Sequence, residues 1–325
     1  MDVQTVELSP PMSVLRDDGT ADPTLDPGLD AARLTELYAA MRKARVIDER
    51  AATLGDAGHL GFLPSCQGRE AAIVGATAAL SDGDWIFPNP TDWAVALTRG
   101  QTLSAFAHRL HGNAHDPLKG HDMPAGISAK AQKVASSSAP AATHLPHAVG
   151  VAWSAVQKGD DLVAAAFFDA HEVDAADFHT GLNFAGVMKV PVLFVCRVAA
   201  DQPGAAEHAV AYGLDAVRCD GSDLLAVVQT VRAAAVSRKP TVIDLVLSDD
   251  TDAALSRARA HLEGLGAWDA DHEAALVAET EANFNAALDA AVQAEAPVPA
   301  SIFDGVFASL PPHLRAQRAA LESSR

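Results

Sequence analysis

Apolar positions in the first half of the chain recur at the spacing of helices. Between Leu34 and Leu54 they follow the three-to-four-residue interval of one helical face, and the pattern stops near Gly55. Two later segments, 68–80 and 145–159, show the same interval and end in a leucine and a glycine. The pattern therefore predicts three helices, of which the second carries small residues suited to close packing.

Short, continuously apolar runs alternate with helical patterns in the rest of the chain. They predict strands at 162–168, 191–196, 215–221 and 241–247, a strand-like "WIFP" at 85–88, and helices at about 177–188, 222–237 and 271–294. Strands that are apolar on both faces and separated by helices are typical of a parallel sheet covered by helices on both faces. We expect one α/β domain over residues 31–300, an irregular N-terminal arm over 1–30, and a C-terminal helical segment over 301–325.

Composition narrows the class of protein further. The 325 residues are 49% hydrophobic and carry a net charge of −18, which favours a sizeable core and argues against a nucleic-acid or anionic membrane surface. The three cysteines have no spacing typical of disulfides or zinc sites, and we expect them to be reduced. No apolar run reaches the roughly 18 residues of a membrane span. A cytoplasmic location is the resulting expectation.

Potential metal ligands crowd the segment that follows the first long predicted strand. They are Asp169, His171, Glu172, Asp174, Asp177 and His179. A replacement metal site is one interpretation, but histidines eight residues apart on one helix lie too far apart for one ion. The alternative is a helix start in which Asp174 is the N-cap and Glu172 and Asp177 complement the helix dipole. The composition favours the helix start, and no residue is assigned as a metal ligand.

Five segments in a fixed order resemble one known family. They are "GFLPSCQGREAAIVGATAAL", "GDWIFPNPTDWAVALTRG", "LPHAVGVA", "DFHTGLNFAGVMKVPVLFVCR" and "YGLDAVRCDGSDLLAVV". Together they resemble the alpha subunit of the thiamine-diphosphate-dependent 2-oxo acid dehydrogenase decarboxylase component, of the branched-chain and pyruvate type. The similarity runs from about Leu34 to Leu321.

The resemblance implies a fold, a cofactor and a partner. It implies the thiamine-diphosphate-binding fold and a heterotetramer with a beta subunit, although a homodimer stays open. Thiamine diphosphate and magnesium would lie between the two kinds of subunit. The implied enzyme is an oxidoreductase that decarboxylates a 2-oxo acid and passes the acyl group to a lipoyl disulfide.

Several positions depart from the family's cofactor motif. Asp169, Ala170 and His171 stand where the family has Gly-Asp-Gly, so the metal carboxylate is replaced by alanine unless the register shifts by one residue. The family's "CRNN" is Cys196 to Ala199 here, with Val198 and Ala199 in place of the two asparagines. Its Tyr-Arg pair for the diphosphate aligns with Pro90 and Thr91, and threonine does not replace a bidentate guanidinium. The resemblance therefore points to a degenerate member.

The remaining cofactor-binding candidates are Asp169, Arg197, Ser138 and Thr143, as vestiges of the family's site. Arg197 could meet an anionic ligand or form a salt bridge with the nearby acids. By the resemblance, Ser138 and Thr143 fall where branched-chain members hold a monovalent cation, with His144 in place of a glutamine. His147 we expect to be a hydrogen-bonded core residue, and no residue is assigned a catalytic role.

Three functions follow from these observations. The first is a non-catalytic, structural or regulatory alpha-like subunit that has lost its hold on the cofactor. The second is an active alpha subunit that still binds thiamine diphosphate through Asp169, Arg197 and backbone groups. The third is a small-ligand binding module that uses the vacated cleft.

Overall fold

The computed structural model describes residues 10–123, 126–137 and 140–323, and its centre is a sheet of five parallel strands. The strands are β1 (Trp85–Phe87), β2 (Ala164–Asp169), β3 (Val192–Ala199), β4 (Asp215–Asp220) and β5 (Thr241–Leu247). Their order across the sheet is β1-β2-β3-β5-β4, so the chain moves one way across the sheet to the edge strand β4 and then turns back to place β5 between β3 and β4. The parallel α/β architecture that the apolar runs predict is confirmed.

Eleven α-helices surround this sheet in the described part of the chain. They are α1 (Ala31–Asp56), α2 (Glu70–Ala79), α3 (Ala94–Thr98), α4 (Leu103–His111), α5 (His144–Lys158), α6 (Ala176–Met188), α7 (Ala206–Ala209), α8 (Leu224–Ser237), α9 (Ala253–Gly264), α10 (Ala270–Gln293) and α11 (Pro312–Ser323). The predicted helices all occur, with ends within a few residues of the expected ones. The short α3, α4, α7 and α9 were not among them.

Each face of the sheet has its own apolar core, because successive strand residues point to opposite sides. Phe167 and Val195 join the core that contains α1, α2 and α8. Phe168 and Phe194 join the second core, with α5 and α6. Both faces are therefore covered, which explains why the strands read as continuous apolar runs.

Small residues allow the closest helix contacts. A Cβ atom on Gly75 of α2 would lie 3.0 Å from a methyl carbon of Val227 on α8. On the other face, a Cβ atom on Gly181 of α6 would lie 3.2 Å from the Cβ of Leu145 on α5. The alanine-rich composition thus serves close helix-to-helix approach rather than bulky interdigitation.

The described part of the N-terminal arm, residues 10–30, lies along the sheet edge formed by β4. The Met12 amide donates to the Arg218 carbonyl at 3.0 Å, and the Met12 carbonyl accepts from the Asp220 amide at 2.8 Å. The amides of Val14 and Leu15 each donate to the Asp223 carboxylate at 2.6 Å. This part of the arm forms no helix or long strand, but it is docked and partly protects the edge strand.

The C-terminal segment contains a 3-10 turn (Pro299–Phe303), in which Ser301 and Phe303 are buried. None of the described residues of α11 is buried. Among the described residues no helix is long and apolar enough to cross a membrane. The domain boundaries and the cytoplasmic location stay predictions.

Candidate functional site

The candidate site lies at the carboxyl ends of β2 and β3, where ligands gather in parallel sheets. Asp169 ends β2 and is paired across the strands with Arg197 of β3. Directly after Asp169 the chain forms a 3-10 turn, Ala170–Glu172, and then enters α6. The sheet register therefore brings together two of the four predicted cofactor residues.

A network of two arginines and two aspartates lies at this edge, and all of its members except Arg69 are buried. Asp169 accepts from Arg69 Nη1 at 2.8 and 3.1 Å and from Arg197 Nε at 2.9 Å. Arg197 Nη1 forms a further ion pair with Asp92 Oδ1, and both of these side chains are almost fully buried. The network is neutral in total charge, so each guanidinium already has an internal counter-ion.

The guanidinium groups keep Asp169 ionised. Burial of the carboxyl raises its pKa, but Arg197 and then Arg69 lower it more, and the resulting pKa lies well below the usual range. Burial likewise disfavours the charged form of Arg197, yet Asp92 and Asp169 hold its pKa above the ordinary value. The predicted salt-bridge alternative for Arg197 is what the structure contains.

Glu172 has a different role from the one expected. Its Oε1 accepts from the Asp169 amide at 2.9 Å and from Asn89 Nδ2 at 2.7 Å, and its Oε2 accepts from the Ala142 amide at 2.6 Å. It is buried, and it joins the turn after β2 to two other loops. Because its oxygens are engaged inside the protein, the prediction that it complements the dipole of the following helix was wrong.

The predicted cap of α6 was also wrong. Asp174 is exposed, and the N-cap of α6 is Ala175, which makes no side-chain cap hydrogen bond. Asp177 does lie in the first turn, as expected, and accepts from Thr143 Oγ1 at 3.1 Å. Hence Asp169 and Glu172 are used in the turn after β2, and at the helix start Asp177 rather than Asp174 has a hydrogen-bond partner.

Thr143 and His144, at the place where branched-chain members hold a monovalent cation, are both engaged in hydrogen bonds within the protein. Thr143 donates its hydroxyl to Asp177, and the neighbouring His144 places Nε2 2.8 Å from the Phe167 carbonyl oxygen. Burial lowers the pKa of His144, so the ring is held as a neutral hydrogen-bonding group. Ser138 lies outside the described residues. The cofactor-binding role of Asp169, Arg197, Ser138 and Thr143 stays a prediction.

The histidine expected in the core is on the surface. His147 is exposed on α5, because α5 packs inward through His144 and Ala148, which are one turn apart. His171 is also exposed. All three cysteines are buried and free, as expected for small apolar side chains.

A cavity of about 280 Å³ opens beside the network. Its lining includes Ala170, Ala199, Asp249 and the side chains of Arg69 and Arg197. Val198, by contrast, is fully buried in the core that contains α5 and α6. Strand alternation therefore makes Ala199, and not Val198, the cavity-facing position of the two that replace the family's asparagines.

The loop of residues 248–252, which contains three aspartates, lines one part of this cavity. Thr251 approaches Gly68 so closely that a Cβ atom there would lie 3.3 Å from the Thr251 Cα, and Gly68 has a φ of +75°. Arg45 anchors this loop, because its guanidinium donates to the Thr251 carbonyl at 2.6 Å and pairs with Asp252. The loop thus brings Asp249 to the cavity, where a second negative charge opposes an anionic ligand.

The residues present do not fit a magnesium diphosphate. Magnesium needs oxygen ligands, and both cavity-facing positions that would supply them carry methyl groups, Ala170 and Ala199. Asp169 is engaged by two guanidiniums, and no group of three or more His, Cys, Asp or Glu among the described residues could hold a metal ion. Thr91 aligns with the arginine of the family that binds the diphosphate. Its hydroxyl makes only a 3.4 Å contact, with Arg69 Nη1.

Two members of the network were missed from the sequence, Arg69 and Asp92. Arg69 lies 100 positions before its partner Asp169, so no local pattern joins them. The sequence held one weaker indication for Asp92, which lies in the turn "NPTDW" between apolar segments. An aspartate that is buried there needs a cation as its partner. The structure shows that this cation is Arg197.

Comparison with known proteins agrees with the fold. Residues 38–248 match the family described as "Dehydrogenase E1 component". The chain is 32% identical over 320 residues to the 2-oxoisovalerate dehydrogenase subunit alpha of Bacillus subtilis, covering 86% of this chain and 97% of that protein. Identity to the Pseudomonas aeruginosa protein of the same name is 31%, over 94% of this chain and 85% of that protein.

A mitochondrial relative is more distant but also spans most of the chain. The mitochondrial 2-oxoisovalerate dehydrogenase subunit alpha of Bos taurus is 28% identical, over 92% of this chain and 74% of that protein. The family match covers well over half of the chain and includes every strand of the sheet. The chain belongs to the dehydrogenase E1 component family.

Proposed function

We propose that the chain is a non-catalytic alpha-like subunit of a branched-chain 2-oxo acid dehydrogenase. In this proposal it pairs with a beta subunit in a heterotetramer. It does not hold thiamine diphosphate and magnesium in the family's way. Its role is then to stabilise or regulate the decarboxylase component. The observation that carries this proposal is the neutral Arg69–Asp169–Arg197–Asp92 network at the place where the family's cofactor motif aligns.

Support for a retained partner surface comes from exposed apolar side chains on two neighbouring helices. Trp153 and Val156 on α5 and Phe184 and Val187 on α6 are between 45 and 73% exposed. Exposed apolar side chains that gather on adjacent elements are typical of interaction surfaces, whereas single ones are ordinary. An assembly role needs this surface and does not need the cofactor cleft.

The alternative, an active alpha subunit, has one observation in its favour. Arg69 and Arg197 still line a cavity of about 280 Å³ at the carboxyl edge of the sheet. Against it, Ala170 and Ala199 offer no ligand to magnesium, and Asp249 adds a negative charge beside the place of a diphosphate. The two functions differ in one measurable property, which is cofactor binding.

The cofactor test is calorimetric titration of the assembled complex with thiamine diphosphate and magnesium. We expect no heat beyond that of the same complex with EDTA. As a converse trial, Ala170→Asp with Ala199→Asn restores two cavity-facing oxygen ligands, and its matched control, Ala170→Asp with Val198→Asn, points the amide into the core. Micromolar, EDTA-sensitive binding by the unaltered chain would favour the active alternative.

The assembly test is the mass of the complex formed with a beta subunit of the branched-chain type. We expect a heterotetramer that forms without thiamine diphosphate. Val187→Asp should weaken it, whereas Val236→Asp, at an equally exposed apolar position on α8, should not. A homodimer that ignores the beta subunit would overturn the proposed assembly.

A further inference from the structure

The guanidinium groups of Arg69 and Arg197 are arranged as in a site that binds an oxyanion. The carboxylates of Asp169 and Asp92, however, cancel their positive charge. Arg69 Nη1 and Arg197 Nε converge on the same atom, Asp169 Oδ1, at 2.8 and 2.9 Å. Two guanidiniums converging on one oxygen is the arrangement by which proteins hold phosphate and carboxylate groups. Here the oxygen belongs to the chain itself.

One donor of this pair is still unused. Arg197 Nη2 is buried and has no hydrogen-bond partner among the described residues, although Arg197 is only 3% exposed. A buried guanidinium donor without an acceptor is costly, so an acceptor with more oxygens than a carboxylate would be favoured there. A phosphate group has such oxygens, and Asp169 occupies the position from which they would reach the donors.

We propose that Asp169 is an internal anion that closes an oxyanion site made by Arg69 and Arg197, and that removing its charge opens this site to phosphate and diphosphate groups without a divalent metal ion. The inference rests on the proposed function, since it takes the family's cofactor cleft to be closed in the unaltered chain. It goes further by naming the closing residue and the ligand class that the site would accept.

Charge bookkeeping favours Asp169 over the other acids as the closing group. Asp92 pairs with Arg197 Nη1, whereas Asp169 accepts from Arg197 Nε, and Asp92 is fully buried, so it helps to hold the guanidinium in place. Asp249 also adds negative charge at the cavity, but it lies on an exposed loop, where water screens that charge more than it screens the charge of the buried Asp169. Asp169 alone among these acids bonds both Arg69 and Arg197.

The test is titration of the full-length chain with inorganic pyrophosphate in the presence of EDTA. Asp169→Ala is expected to bind pyrophosphate at least tenfold more tightly than the unaltered chain, because two guanidiniums lose their internal acceptor. Asp169→Asn, which keeps the shape of the side chain, should shift binding in the same direction. The double variant Asp169→Ala with Arg69→Gln should lose most of the gain.

The matched control is Asp174→Asn, since Asp174 is an exposed acid five positions away and its loss changes the net charge by the same amount. We expect no gain of pyrophosphate binding by this variant. If it gains as much as Asp169→Ala, the effect is general electrostatics and the proposal fails. Equal binding by the unaltered chain and Asp169→Ala would also overturn it, because the site would then not be closed.

Folding of the variants is part of the measurement. Pyrophosphate should raise the melting temperature of Asp169→Ala and leave that of the unaltered chain unchanged, because the ligand replaces the lost carboxylate. A variant that stays unfolded even with saturating pyrophosphate counts against the proposal. These results are independent of assembly: failure here leaves heterotetramer formation intact, and failure of assembly leaves the pyrophosphate result unaffected.

Discussion

Two buried aspartates on the same sheet have opposite electrostatics. Asp169, at the end of β2, meets guanidinium nitrogens of Arg69 and Arg197 at 2.8 and 2.9 Å, and its pKa is held well below the usual range. Asp244, inside β5, uses Oδ1 to accept from the amides of two residues at 3.0 and 3.1 Å. Its Oδ2 has no hydrogen-bond partner among the described residues.

Both aspartates are buried, so the difference between their pKa values comes from how closely hydrogen-bond donors approach each carboxylate. Arg218 Nε lies 3.7 Å from Asp244 Oδ2, beyond hydrogen-bonding distance, and a Cβ atom on Gly204 would lie 1.9 Å from that oxygen. Burial therefore dominates, and it raises the pKa of Asp244 to about 6 despite the amides of Ala206 and Ala205 and the charge of Arg218. A buried acid is stabilised as an anion only where donors reach it in hydrogen-bonding geometry.

The largest expected effect is the removal of the shared cation at the first site. Arg197→Met leaves Asp92 and Asp169 facing each other in a buried place without their common counter-ion. We expect a loss of about 3–5 kcal/mol in the free energy of unfolding, measured by urea denaturation at neutral pH.

Arg218→Met is the matched control, because Arg218 is 22% exposed and stands only 3.7 Å from its acid. Its cost should stay below about 1 kcal/mol. Equal costs for the two arginine variants would contradict the comparison, since the two ion pairs would then contribute alike.

The second prediction concerns pH and Asp244. A carboxyl whose folded pKa lies above its unfolded value binds protons more tightly when folded, so stability is lost as pH rises through about 6. Asp244→Asn cannot ionise and keeps an oxygen for the two amides. Between about pH 5 and about pH 8 its free energy of unfolding should rise relative to the unaltered chain by roughly 1 kcal/mol.

The pH dependence has a control at the other site. Asp169→Asn removes a carboxylate whose folded pKa is depressed, and that stabilising contribution is present above the unfolded pKa and lost in acid. Its stability difference from the unaltered chain should therefore be constant between about pH 5 and about pH 8. A sloping difference for Asp169→Asn, or a flat one for Asp244→Asn, would break the contrast.

Local pattern predicts the fold well here because each element buries a continuous apolar surface. The strand run 241–247 and the helix 177–188 occur within one residue of their expected bounds. The same reasoning fails for the start of α6, where the N-cap is Ala175 instead of Asp174 and Glu172 is bonded within the preceding turn. The prediction that His147 lies in the core was wrong, because neighbouring positions on a helix point in different directions and His147 is on the exposed side of α5.

The site could be predicted only in part, because its partners are distant in sequence. The departure from the family's Gly-Asp-Gly motif at Asp169, Ala170 and His171 was visible in the sequence itself. The identity of the counter-ions was not, since Arg69 reaches Asp169 across 100 positions and Asp92 reaches Arg197 across 105. Long-range pairing is decided by how helices and loops pack on the sheet, which no single-sequence pattern contains.

A third prediction separates the two arginines that hold Asp169. Arg69 is 28% exposed, so its ion pair is partly screened by water. Arg69→Gln should lower the free energy of unfolding by about 1 kcal/mol, less than the loss expected for Arg197→Met. Arg33→Gln, which breaks an exposed pair with Glu36, is the control and should change it by less than about 0.5 kcal/mol.

The smallest expected effect is at the neighbouring polar contact. Thr143→Val keeps the shape of the side chain but removes the hydroxyl that donates to Asp177 at 3.1 Å in a half-buried place. Because Asp177 can still reach water, we expect a loss of about 0.5–1 kcal/mol in urea denaturation. Thr180→Val, whose exposed hydroxyl bonds a carbonyl of its own helix, should cost less. A loss for Thr143→Val that exceeds the loss for Arg69→Gln would mean that the Thr143–Asp177 contact is coupled to the arginine network through the turn that Glu172 holds.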